Sequence, residues 1–304
     1  MPVTKRVIKK SPKSVLLGNS GSGVTVLKQY AKFRPQIRSR HSTHKPLRSR
    51  LPWLPFRSIV RLGSTTVIND GKNRIELNAV EAIRNSSSKF LMKACFDRLS
   101  VKTAKWLKLS EVTAVNSEGV SGRSISLRFP VVFKLNYGSR GRGMKLARNI
   151  DEYNQIISTP RFRTSEYLLE EYMNYVREYR LHVHKDGCFY TCRKVIKNDT
   201  AKENRWYRND SNCNWLVESN PGFDKPVCWE EIVKECVKAL KSIGLDFGAC
   251  DVRVQSAMVK NKPRKAVDFF IVEINSAPSF GEGTLDRYLH VIPDLLKQKK
   301  HESS

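Results

Sequence analysis

Acidic residues are scarce in this chain. Only 29 Asp and Glu stand against 55 Lys and Arg, a net charge of +26 over 304 residues. Long apolar runs are missing as well: none reaches the ~18 residues a membrane-spanning helix needs. The N-terminal stretch offers only Val15-Leu16-Leu17, too short for a secretory core. Seven cysteines occur, an odd number, with no CxxC pair, which excludes a disulfide scaffold and a zinc ribbon. Cys188 and Cys192 share one face of an alternating segment and read as free thiols of a reduced cytoplasm. The six histidines lack zinc spacing, and His182 and His184 alternate along a strand-like run as structural or substrate-facing residues. What remains is ordinary for a globular protein: 40% hydrophobic and 28% charged residues exclude wholesale disorder. The excess positive charge calls for an anionic partner.

That charge is uneven. Residues 1–74 hold 17 Lys and Arg and one acid, Asp70, so +16 of the total lies there. Within it, residues 32–57 carry four prolines, many basic groups and no acid, and read as an extended arm. Before the arm, residues 14–33 read as strand, Gly-rich turn and helix. Further on, apolar residues recur at helical spacing from Asn78 to Leu99, with Asn85 to Ser88 as a turn and N-cap before Lys89. Strands are expected at Phe129 to Lys134, Met144 to Ala147, Tyr167 to Met173, Glu178 to His184, Phe189 to Ile196, Phe247 to Val254 and Val267 to Ile274. Helices are expected at Asp151 to Ile157, at Trp229 to Ile243 with Gly244 as its stop, and at Leu285 to Lys297. Residues 198–226 are polar, rich in Asn, and read as a loop.

Four stretches carry chemistry. Gly18 to Thr25 has the spacing of a phosphate-binding P-loop, but Val24 holds the position where that loop needs a lysine, so the turn is a decoy. A second stretch follows Lys134, which ends a buried strand. There the run Gly138-Ser139-Arg140-Gly141-Arg142-Gly143 precedes another strand, an arrangement suited to a flexible flap whose N–H groups meet phosphate oxygens. A hairpin turn would explain the same glycines. The third is Glu170-Glu171-Tyr172-Met173 and, beyond a bend, Glu178; such a linker offers backbone groups to a base and a carboxylate to ribose hydroxyls. The strongest is Asp251 on one strand with Glu273 and Asn275 on the next. Period-2 alternation puts Glu273 and Asn275 on one face, and three oxygen ligands suit Mg²⁺. Glu273 interrupts an apolar strand, where an unpaired carboxylate is costly to bury, so a metal or a partner lysine is expected beside it.

In this order (Lys89; Lys134 with its glycines; the Glu-Glu-Tyr-Met linker; Asp251; Glu273-x-Asn275) the motifs resemble the ATP-grasp superfamily of carboxylate–amine ligases. The resemblance covers roughly residues 80–298 and is to the branch of the ribosomal-protein glutamate ligases and D-alanine–D-alanine ligase. It implies an α+β protein of ATP-grasp fold, with two α/β lobes gripping ATP behind a small basic N-terminal α/β domain. The implied divisions are 1–76, 77–160 and 161–304. It also implies an enzyme that forms an amide through an acylphosphate, using ATP and one or two Mg²⁺. Lys89, Lys134, Ser139, Gly141, Gly143 and Lys194 are then placed on the phosphates, Glu171 and Met173 on adenine, and Glu178 on the ribose. Asp251, Glu273 and Asn275 hold the metal. Arg253 and Arg180 steady the transferring phosphoryl group, and Arg57, Arg61 and Ser276 meet the substrate. The stretch Arg57 to Thr66 is similar to small members encoded by bacteriophages, which implies a bacterial host's cytoplasm. The substrate is expected to be anionic, a small carboxylate or an acidic peptide.

The alternative is a nucleic-acid-binding protein whose residues 1–61 track phosphates. Aromatics are thin there (Tyr30, Phe33, Trp53, Phe56) and no helix-turn-helix or zinc-finger signature exists, which argues against base stacking and sequence reading. A combined reading has the arm capturing an anionic macromolecule for the enzyme.

Overall fold

The computed structural model describes residues 14–18, 58–68, 73–122, 124–139, 141–209, 211–263, 267–280 and 283–302. The chain folds as two compact units, one of residues 1–83 and 276–304 and the other of residues 84–275.

In the first unit β1 (Ser14–Gly18), β2 (Ser58–Leu62) and β3 (Ile75–Leu77) form a parallel sheet in that order. Successive residues Leu16 and Leu17, and Ile59 and Val60, are all buried, as strands covered on both faces require. The C-terminal helix Thr284–Glu302 belongs to this unit and buries Leu285, Tyr288, Ile292 and Leu295, three or four residues apart, on one face. The expected Gly-rich turn, the helix after it and the arm 32–57 lie outside the described residues.

The chain passes into the second unit through α1 (Val80–Ser87), followed by α2 (Lys89–Arg98). Ser88 caps α2: its hydroxyl accepts from the Leu91 N–H at 3.3 Å and donates to Asn136 Oδ1 at 2.8 Å. Asn85 to Ser87 are the last residues of α1 and not a turn; only Ser88 interrupts the helical run. Next come β4 (Trp106–Lys108), β5 (Val112–Val115), β6 (Gly119–Gly122), β7 (Ser126–Arg128), β8 (Val131–Leu135), β9 (Lys145–Ala147), α3 (Ile150–Ile157) and β10 (Tyr167–Glu171). An antiparallel sheet has the order β4-β10-β8-β9, beside a small sheet β5-β6-β7. Phe133, Tyr153, Tyr167 and Leu169 pack into the core of this lobe. Alternation therefore sends Lys134, Leu168 and Glu170 to the opposite face.

The larger lobe adds β11 (Arg177–His184), β12 (Gly187–Ile196), β13 (Cys213–Val217), α4 (Trp229–Ile243), β14 (Phe247–Val254), the hairpin β15 (Met258–Val259) and β16 (Lys262–Pro263), and β17 (Phe269–Asn275). Its antiparallel sheet runs β13-β12-β11-β14-β17. The helix α4 buries Ile232, Cys236, Ala239, Leu240 and Ile243 and stops at Gly244, whose φ of 85° needs glycine. All eight residues of β14 are buried, as befits an inner strand of this sheet. The stretch 198–226 is not all loop, because β13 crosses it. That strand sits on a sheet edge with two of five residues exposed, so its sequence alternates weakly.

Candidate active site

Lys134 on β8 and Lys93 on α2 both turn to Glu170 on β10. In the β8–β10 pairing Lys134 faces Leu168 and Glu170 faces Val132, so lysine and carboxylate are diagonal neighbours on one face. Lys134 Nζ donates to Glu170 Oε2, and Lys93 Nζ lies 2.9 Å from Glu170 Oε1. All three side chains are buried, at 6% exposure or less. Burial alone would push the Glu170 carboxyl up, but Lys134 and Lys93 overcome it and hold the group at about 2. Burial lowers Lys93, with Glu170 opposing. The sequence reading does not single out Lys93 and names Glu170 only as the first residue of the linker motif, without a role; the signal was Glu170's place two residues after Leu168 in a buried strand.

A second cluster lies on the face of the large sheet. Register sets Arg180 opposite Asp251, Glu178 opposite both Lys194 and Arg253, and Asp251 opposite Glu273. Arg180 grips Asp251 with two nitrogens, Nε at 2.7 Å and Nη2 at 2.9 Å. Lys194 Nζ bridges Glu178 Oε1 at 2.7 Å and Asp251 Oδ2 at 3.0 Å. Arg253 Nε donates to Glu178 Oε2 at 2.8 Å, with its guanidinium 4.1 Å from the Tyr175 ring. Burial works against every charge here. Even so, Arg180 and Lys194 hold Asp251 well below the usual carboxylate range, while Asp251 and Glu178 in turn raise Lys194. Three cations meet two carboxylates, an excess of one positive charge. The Lys93–Glu170–Lys134 group has the same excess.

Lys89, first residue of α2, ties two further elements together. Its Nζ donates to the Gly138 carbonyl at 2.6 Å and stands 4.0 Å from Glu273 Oε2, the partner lysine expected for that carboxylate. Gly138 opens the glycine-rich turn. Gly141 and Gly143 adopt φ of 73° and 71°, and Ser139 is exposed. A Cβ on Gly143 would come 2.5 Å from Leu135 Cδ1; one on Gly141 would meet only ordinary contacts, 3.6 Å from Asn209 and 3.8 Å from Tyr207. The turn thus reaches the loop before β13.

The expected three-oxygen metal set is reduced by these contacts. Both Asp251 oxygens are already engaged by Arg180 and Lys194, and among the described residues no group of three or more His, Cys, Asp or Glu is arranged to hold a metal. Glu273 keeps 29% of its side chain exposed, and it accepts from Asn275 Nδ2 at 3.3 Å. That bond leaves the Asn275 carbonyl oxygen for another partner. Two oxygen donors fit Mg²⁺, which commonly takes one or two carboxylates and completes its shell with phosphates and water.

The remaining expected residues are placed as follows. Glu171, half-buried, accepts from the Arg128 N–H at 3.3 Å, and Met173 follows β10 in the link to β11. Glu178 is closed on both oxygens by Lys194 and Arg253. In the N-terminal unit Arg61 is 1% exposed, with its guanidinium on Glu76 at 3.3 Å and on the Thr66 carbonyl, so a substrate role there meets an occupied side chain. Ser276 is buried directly after Asn275. Arg57 lies outside the described residues.

Residues 91–279 match the family model described as carbamoyl-phosphate synthase L chain, ATP binding domain. No curated protein matches the sequence. Among solved structures, D-alanine–D-alanine ligase from Bacillus anthracis superposes with a TM-score of 0.60 at 13% identity, over 95% of this chain and 99% of that one. The same enzyme complexed with ATP gives 0.58 at 13% identity, over 95% and 99%. The ATP-grasp ligase PsnB gives only 0.45 at 14%, over 75% and 64%, too distant to add to the argument. At such identity the likeness is one of fold, and it is the α+β ATP-grasp fold that the resemblance implied.

Proposed function

Because this chain belongs to the family of the carbamoyl-phosphate synthase L chain ATP-binding domain, an ATP-grasp family of ATP-dependent carbon–nitrogen ligases, we propose that it joins a carboxylate to an amine through an acylphosphate. The carrying observation is the pair of buried ion clusters, one on each of the two larger antiparallel sheets and each with one cation in excess among its ion pairs. Buried, uncompensated positive charge is expensive unless an anion completes it. A triphosphate supplies that anion.

In this reading Lys89 and Lys134 meet the α- and β-phosphates, and Ser139, Gly141 and Gly143 close over the β- and γ-phosphates. Glu171 and the Met173 backbone meet adenine, and Glu178, closed on both oxygens, holds Lys194 and Arg253 in place. Glu273 and Asn275 would hold Mg²⁺, while Asp251, engaged on both oxygens, anchors Arg180 and Lys194 beside it. A metal held by these residues would supply charge to offset that of the terminal phosphates. The substrate carboxylate oxygen attacks the γ-phosphorus and the bond to ADP breaks. The amine nitrogen then attacks the acyl carbon, loses a proton and expels phosphate. Arg180 and Arg253 face the charge that moves in the first step, and the closed flap keeps water from the acylphosphate. The substrate is an acidic amino acid or peptide, a choice supported by the +26 net charge. Neither the family nor the fold favours the nucleic-acid reading.

Calorimetric titration with Mg²⁺ATP tests the site. Saturable 1:1 binding is expected, weakened by at least tenfold in Glu273→Gln, and a folded wild type giving no binding overturns the proposal.

A further inference from the structure

Trp215 is a large aromatic left 38% exposed on the edge strand β13. The strand pairing sets it directly opposite Lys194. Its ring centre lies 4.8 Å from the Arg180 guanidinium carbon and 5.3 Å from Lys194 Nζ, both within cation–π range. Both of these cations end on the same carboxylate, Asp251. Two positive groups sharing one carboxylate repel each other, and each has a long stem able to swing towards water. An aromatic face attracts both without contributing a negative charge. A carboxylate at position 215 would hold them equally well, but it would cancel the surplus charge that an incoming phosphate has to meet.

We propose that Trp215 is a positioning residue: its indole face holds Arg180 and Lys194 against Asp251 while leaving their positive charge available to the terminal phosphoryl group. The proposal rests on the reading of this cluster as the phosphate site. Trp215 touches neither phosphate nor metal and works through the two cations. Its loss is therefore felt by a ligand that carries a γ-phosphate and much less by one that lacks it.

The test is calorimetry of Mg²⁺AMP-PNP and Mg²⁺ADP binding to the full chain as wild type, Trp215→Phe and Trp215→Leu. Phenylalanine keeps a ring face; leucine keeps only apolar bulk. The Phe variant is expected within about threefold of wild type for both nucleotides. The Leu variant is expected to lose about tenfold for AMP-PNP and less than threefold for ADP, in line with the size of a cation–π contact. Should the Leu variant not fold, Trp215→Met serves with the same expectation. Equal affinities of the Phe and Leu variants for AMP-PNP, or a Leu variant that loses both nucleotides alike, would reduce Trp215 to packing and overturn the proposal. A folded wild type that binds neither nucleotide overturns the phosphate-site reading itself, and this inference with it.

Discussion

Glu170 and Glu171 are adjacent, yet one is buried between Lys93 and Lys134 and the other accepts a single backbone bond near the surface. Substituting Glu170→Gln leaves two buried lysines without their counter-charge, and a loss of about 3 kcal/mol or more is expected in urea unfolding. Glu171→Gln is expected to stay within about 0.5 kcal/mol. Acid titration separates two further residues. Burial, helped by Arg180, holds His182 at about 3, below its ordinary 6.5. Between those values the unfolded chain binds a proton that the folded one refuses, so stability falls as pH drops through that window. Glu170 is depressed from 4.5 to about 2, so its contribution is present above pH 4.5 and lost as pH falls towards 2. His182→Asn is therefore expected to flatten the stability curve between pH 6.5 and 4.5 and to reduce its slope from 4.5 to 3, where the Glu170 loss remains. At this scale the sequence revealed chemistry by type and alternation: Lys134, Asp251, Glu273 and Asn275 were legible because they interrupt apolar strands. The partners were not legible, because Arg180 meets Asp251 through a register joining positions 71 residues apart.

The turn from Gly138 to Gly143 is one element whose two positive-φ glycines are not equivalent. Alanine at either is strained by roughly 1–2 kcal/mol, but only at Gly143 would the new carbon also collide with Leu135. Gly143→Ala is expected to weaken Mg²⁺ATP binding and speed proteolysis of the turn more than Gly141→Ala does; equal effects would show that the turn tolerates displacement. The Ser88 cap gives a second prediction. Ser88→Ala removes the bond to the Leu91 N–H and the tie to Asn136, and should destabilise by about 1 kcal/mol in thermal or urea unfolding. Elements with strong periodicity were legible: β14 spans the expected residues and α4 stops at the expected glycine. The short strands β4 to β7 were not, because three or four residues are too few to establish a period of two. Their pairing is decided by neighbouring strands.

Across the whole molecule the +26 charge divides into a core share of +10 and an N-terminal share of +16 whose arm, 32–57, lies outside the described residues. Deleting residues 1–50 would confuse two effects, because β1 with its buried Leu16 and Leu17 would go with them. Changing the arm's Lys and Arg to Gln keeps β1. If the arm captures an anionic substrate, this change raises that substrate's KM and flattens its salt dependence while Mg²⁺ATP affinity holds. The fold was legible at this scale because a handful of chemically demanding residues occur in a fixed order along the chain. The substrate was not, since no buried polar residue among the described ones reports which acid or amine is accepted. Nucleotide products and new masses from the full chain with Mg²⁺ATP and a panel of amino-acid and peptide pairs report whether the γ-phosphoryl group activates a carboxylate. The prediction is ADP and phosphate in step with a product one water lighter than its two components. Formation of AMP and pyrophosphate, or an amide formed without nucleotide consumption, would contradict it.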